Sequence, residues 1–383
     1  VPQATQTRDA FTATAGQTSF ATSGYTPNFL DVFLNGVKLA AADYTATNGS
    51  DVVLASGAVV NDILEVVAYT AFDTANVTAS SGFTVTGNLS VDGGTIKLDG
   101  NYPVGTANVA LGDAALDALT SGGSNVAIGG GSLTSNTSGN NNVGIGRRAL
   151  LSNTSGGANV AIGLDTLQAN TTASNNTAVG YQAGYSNTTG HSNTSVGKGA
   201  FYTNTTGNEN NAFGFQALYS NTTGSTNTAL GRNTLYTNTT GSQSVAVGNN
   251  SLYYNTTGGN NTAVGYLALT ANTTGTRNVA IGHTSLNSNT TASYNTALGF
   301  RGLFSNTTGA SNVGLGYQAL DANTSGSNNV AIGRDALVLS TTASNNTAVG
   351  FEAGLSNTTG TENTFIGGRA GTATTTGGNN TFV

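Results

Sequence analysis

From residue 108 onward the apolar and polar positions recur with a period of 17 residues. The period is marked by sixteen glycines, from Gly112, Gly129 and Gly146 to Gly350 and Gly367, with no insertion between copies. Aligned on the glycine, each copy reads Asn-Thr/Val-Ala-Val/Ile-Gly, a variable pair, Ala-Leu, two variable residues, Asn-Thr-Thr-Gly and two more variable residues. A short fixed period puts each copy in contact mainly with its two neighbours, so it specifies a stack of coils rather than a globule around a cleft. Seventeen residues rich in Gly, Asn and Thr cannot hold two helices and a turn. Each copy is therefore read as one coil of parallel β-structure.

Within the coil, an aliphatic or Phe side chain precedes the anchor glycine (Leu111, Ile128, Ile145, Val179, Phe213, Ile366). A small residue precedes that one (Ala110, Ala178, Ala263), with Phe365 the large exception. Successive side chains of a strand face opposite ways, and the pattern predicts the aliphatic inside the coil and the alanine outside it. The leucine four residues after the glycine (Leu116, Leu150, Leu218, Leu269, Leu337) is expected to be a second inward residue. Asn-Thr-Thr-Gly is turn chemistry, with Asn bonding its own backbone and Gly accepting positive φ. An outward face kept small, over a coil with few aliphatics, implies that identical chains pack against it.

Residues 1–72 have a different texture. Asn35-Gly36 lies between the β-prone runs of Phe29 to Leu39, a hairpin signal because both turn residues tolerate positive φ. Asn48-Gly49, before Val52-Val53-Leu54, is read as the same device, and Ile63 to Tyr69 as a closing strand. The expectation is a small antiparallel β-sandwich, only marginally large for a core of its own. Residues 73–107 alternate apolar and polar residues with glycine breaks and are read as a transition segment that caps the open end of the stack. The fold class is thus all-β: a small N-terminal sandwich followed by a parallel β-roll or β-solenoid over 108–383.

Composition narrows the function. Only 7% of the 383 residues are charged and none is Cys, Met or Trp, which excludes disulfides and zinc-thiolate sites. The three prolines, Pro2, Pro27 and Pro103, all precede the repeats, as a ladder that uses every backbone N–H requires. Residues 1–107 hold three Lys/Arg against nine Asp/Glu, while the repeats hold eight of each. A near-neutral rod gives no electrostatic case for nucleic acid. No signal-peptide pattern opens at Val1, and no apolar run reaches the ~18 residues of a membrane span. Neither export by that route nor membrane insertion is expected, although Val1 is not a start methionine and a short leader removed ahead of it is compatible with the sequence.

The Asn-Val-Ala-Ile-Gly core (Asn125 to Gly129, Asn159 to Gly163, Asn278 to Gly282, Asn329 to Gly333) resembles the head repeats of trimeric autotransporter adhesins. That resemblance implies a left-handed β-roll with three chains side by side. The longer phrase from Asn176 to Gly190 is similar to repeats of tail-fibre proteins of marine tailed bacteriophages. So are Phe11 to Phe20, Asp31 to Leu39 and Asp43 to Gly49, joined to the repeats through Gly87 to Gly100. The combination implies a virion tail fibre whose N-terminal module attaches to other tail proteins. The alternative it implies is the head of an adhesin on the bacterial cell surface. The sequence stops at Val383, one residue before the next anchor glycine, and a tip that meets a host glycan or protein is expected beyond it.

Few residues suggest a site. Tyr185, Tyr202, Tyr219, Tyr236 and Tyr253 share one column in five consecutive coils. They form a candidate surface-binding stripe for sugars, against the plainer reading of an aromatic ladder that stabilises the roll. A second set follows the anchor glycine (Tyr181, Phe215, Tyr266, Phe300, Tyr317, Phe351) and alternates with Arg, Lys and Asn, as an exposed, tolerant position does. Adjacent threonines such as Thr205 and Thr206 point opposite ways, unlike the flat hydroxyl arrays of ice-binding solenoids. The sequons at Asn136, Asn170, Asn204 and Asn238 are read as an internal asparagine ladder. His191 and His283 stand in different columns with no carboxylate cluster. No catalytic, cofactor or metal site is expected, and the chain is read as a homotrimeric structural component and not an enzyme.

Overall fold

The computed structural model describes residues 6–69 and 105–383, which belong to two compact units divided between Ile96 and Lys97. The cap expected over 73–107 lies outside the described residues except for its last three.

In the N-terminal unit, β1 (Gln6–Thr12), β7 (Ile63–Tyr69), β3 (Leu30–Leu34) and β4 (Val37–Lys38) form one antiparallel sheet. A second is built from β2 (Gln17–Ala21), β6 (Asp51–Ala58) and β5 (Tyr44–Thr45). Val32, Leu64 and Val66 of the first sheet meet Phe20, Val52 and Leu54 of the second in one buried cluster, which makes the pair a small sandwich. Asn35 and Gly36 take φ of 51° and 79°, so the two-residue turn between β3 and β4 forms as expected. Asn48-Gly49 is a different device. Only Gly49 has positive φ, while the Asn48 side chain accepts the backbone N–H groups of Ser50 and Asp51 at 3.0 and 2.8 Å.

The second unit is the stack. Its seventeen strands run from β8 (Val109–Leu111) through β9 (Val126–Ile128) and β15 (Thr228–Leu230) to β24 (Thr381–Phe382), one per 17 residues. Each pairs in parallel and in register with the strands before and after it, as in Ala229↔Ala246 and Leu230↔Val247. At ~4.8 Å per rung the stack is roughly 77 Å long.

The strands face the other way from the sequence reading. Ala127, Ala161, Ala178 and Ala263 are fully buried. The residues before the glycines are partly or fully exposed, Leu230 at 49% and Leu298 at 47% among them. The small column faces inward because the opposite wall fills the space. Twelve leucines of the column containing Leu150 and Leu269, together with Phe201, take left-handed φ near 50° and are buried beside the alanines. That conformation costs a bulky residue about 1–3 kcal/mol, which burial of its side chain at about 1.5–3 kcal/mol offsets. The leucines are therefore inward, as expected, and one large residue per coil is all that the narrow interior takes.

Polar ladders zip the remaining interior. In one column the Oδ1 of Asn125 accepts the backbone N–H of Asn142 at 3.0 Å, while its Nδ2 donates to the Gly139 carbonyl at 2.9 Å. In the other, Asn221 Nδ2 donates to Asn204 Oδ1 at 2.9 Å and to the Gly224 carbonyl at 2.9 Å. These buried amides are the sequon asparagines Asn136, Asn170, Asn204 and Asn238 and their neighbours in the stack. The first threonine of each turn adds a third ladder, Thr222 donating through N and Oγ1 to the Thr239 carbonyl. Such satisfaction is what permits amides in a core. The anchor glycines are required twice over: Gly231 has φ of 137°, and a Cβ there would stand 2.8 Å from the carbonyl oxygen of Gly248. Gly241 of the Asn-Thr-Thr-Gly turn differs from expectation, since its φ is not positive. It supplies space, because a Cβ would crowd Asn238 and the Gly258 carbonyl.

Candidate functional site

Stacking at rung spacing places the five tyrosines as a ladder. The ring centroids of Tyr185, Tyr202, Tyr219, Tyr236 and Tyr253 are 5.0 to 5.2 Å apart, with interplanar angles of 4° to 10°. Tyr254 closes the end edge-on, 4.7 Å from Tyr253 at 76°. Each inner ring spends its faces on its neighbours, so edges and hydroxyls are what the stripe presents to solvent. Burial raises the pKa of Tyr202 and Tyr253, and the adjacent phenols add to it. Tyr202 and Tyr253 are therefore neutral at ordinary pH. Sugar stacking needs open ring faces, and the geometry favours the structural ladder.

The second aromatic column is exposed, Tyr181 at 43% and Tyr266 at 47%. Its cations are not random interruptions. Lys198 Nζ lies 5.8 Å from the Tyr181 ring and 6.0 Å from Phe215, and Arg334 lies 5.6 and 5.7 Å from Tyr317 and Phe351. His283 stacks between Tyr266 and Phe300 at 5.1 and 5.5 Å. The column holds two π and cation–π stacks, Tyr181 to Arg232 and Tyr266 to Phe351, parted by Asn249, each cation contact contributing about 0.5–1 kcal/mol at an exposed site. Sequence reasoning missed this because it took the mixture as tolerance. The signal was there: Lys198 and Arg334 each have a ring in this column in both flanking coils, and Arg232 has one in the coil before it.

Between the two columns, at Gly199, lies a shallow cleft of about 270 Å³ lined by Tyr181, Lys198, Tyr202, Gln216 and Tyr219 among others. His191 and His283 each have Nδ1 3.3 Å from the hydroxyl of the next residue. Among the described residues no three His, Cys, Asp or Glu side chains gather as a metal site, and no helix is long and apolar enough to cross a membrane.

Comparison with protein-family models, with curated proteins and with solved structures yields no match for this chain. The fold itself, an all-β chain of stacked, internally zipped coils, fits a structural, fibre-like repeat protein.

Proposed function

We propose that this chain is a structural segment of a bacteriophage tail fibre, with residues 108–383 as its shaft and the N-terminal sandwich as the part that binds other tail proteins of the virion. The observation that carries the reading is the unbroken run of in-register rungs from β8 to β24. Such a run sets a length and a stiffness, and spends its buried polar groups on holding neighbours together. The working form is a homotrimer, and the segment is not an enzyme. Contact with a host glycan or protein belongs to a tip carried beyond the shaft. The phrases shared with tail-fibre repeats support the virion over the bacterial envelope.

The test is immunogold electron microscopy with antibody raised against the whole chain, applied to phage particles and to the host bacterium. Label along the tail fibres is the expected result. Label confined to the bacterial envelope overturns the reading in favour of an adhesin head.

A further inference from the structure

The outer face of the parallel sheet is unlike the rest of the stack. Its two outward positions per strand hold Val, Thr or one Asn first, and Val, Ile, Leu or Phe third. Neither column contains a charge, and every member in β8 to the strand at Thr364–Ile366 is at least partly exposed. Seventeen rungs of three residues make a face of roughly 800 Å². A typical monomer's largest apolar patch is about 300–600 Å², and one partner of a standard interface contributes about 800 Å².

We infer that this face seats a second copy of the same chain, parallel and in register. The occupant is argued from the repeat. A surface that offers an aliphatic or aromatic side chain at the third position of each rung, every ~4.8 Å over its whole length, is matched throughout only by a partner with that spacing, and this chain has it. Register has its own key. Asn211-Ala212-Phe213 is the one rung with an amide and an aromatic ring outward, and both are exposed. Among the described residues the Asn211 side chain makes no hydrogen bond. In-register copies bring these amides together, whereas a shift of one coil sets Asn211 against threonine, beside Thr194 or Thr228 in the ladder. A single polar residue in an apolar seam fixes register in coiled coils by the same logic. The inference rests on the shaft reading and deepens it by naming the surface on which copies meet.

The absence of cysteine from the chain makes the test clean. Light scattering on the full chain should give a multiple of 38.1 kDa, near 114 kDa for three copies. The double variant Leu230→Asp, Leu298→Asp should fall to the mass of one chain while keeping its β-sheet circular dichroism. Separately, Thr177→Cys and Thr347→Cys chains carrying different tags are co-expressed and oxidised. Each should crosslink to its own kind and not to the other. A wild-type monomer, an assembly indifferent to the double variant, or crosslinks between Thr177→Cys and Thr347→Cys would each overturn the inference. A monomer that is still a rod by electron microscopy sinks the interface and spares the shaft, and a globule sinks both. Should the Asp variant not fold, the crosslinks alone decide.

Discussion

Phe365 fills the space that the missing side chain of Gly354 leaves. Phe365 replaces the buried alanine of its column, and Gly354 and Gly371 replace the leucine on the facing wall. A Cβ built on Gly354 would stand 2.8 Å from Phe365 Cδ2 and 2.9 Å from Leu337 Cδ2. Gly354→Leu alone should destabilise by about 1–3 kcal/mol through overpacking, and Phe365→Ala alone by about 3–5 kcal/mol. Combined, they should cost clearly less than the sum, with a coupling of about 1–3 kcal/mol. Denaturant unfolding of the four proteins of this cycle measures it; additive effects would mean that the two walls do not share a core.

One break in the second asparagine ladder is open to repair. Ser340 stands in the asparagine column between Asn323 and Asn357, and its hydroxyl, like Asn323 Oδ1 beside it, has no hydrogen-bond partner. Asn357 Nδ2 keeps only its bond to the Gly360 carbonyl. Ser340→Asn should supply a donor to Asn323 and an acceptor to Asn357 and stabilise the stack by about 1 kcal/mol or more. Slower hydrogen exchange in residues 320–360 is the expected readout, and unchanged exchange would count against the ladder as a source of stability.

Strand orientation gives a sharp contrast between neighbours. Ala263 is fully buried and Val264 faces out. Ala263→Arg should lose the folded stack, since an unpaired buried charge is not tolerated there. Val264→Arg should keep circular dichroism and protease resistance. Equal behaviour of the two variants would refute the assigned faces.

Acid should act on the N-terminal unit first. Asp31 is held below the usual carboxylate range chiefly by Lys38, whose Nζ lies 2.6 Å away, with the Tyr69 hydroxyl adding to it. Asp62 is lowered by hydrogen bonds from Asn35 and from the Val59 N–H. A depressed folded pKa contributes stability above the unfolded value of about 3.9, and that stability is lost as pH falls through the folded value. Hydrogen-exchange protection in residues 30–69, taken relative to the intrinsic rate at each pH, should fall between about pH 5 and pH 2, and Asp31→Asn should flatten that dependence. The Asn and Thr ladders do not titrate, so protection in residues 200–300 should change less; a parallel loss of protection there would contradict this.

The period alone made the fold legible, because a 17-residue copy with a fixed glycine leaves little besides a single β coil. Parity was not legible from the strand. Three residues alternate inward and outward, and nothing within Thr-Ala-Val says which alternation holds. Choosing the larger residue for the core is right for a wide interior and wrong for one already filled by a leucine. The compensation of Phe365 by Gly354 and Gly371 did carry the answer, since columns that trade volume must share a space. The tyrosine ladder was legible as a column. Its lack of open ring faces needed coordinates.

Hydrogen bonds within the stack join residues no more than about one coil apart, the longest side-chain reach being 20 residues. No rung depends on how many others exist. Gain or loss of one whole repeat in the gene therefore leaves every bond type intact and changes the molecule's reach by about 4.8 Å. Length here is a copy number, adjustable by recombination between near-identical segments without any redesign of the fold.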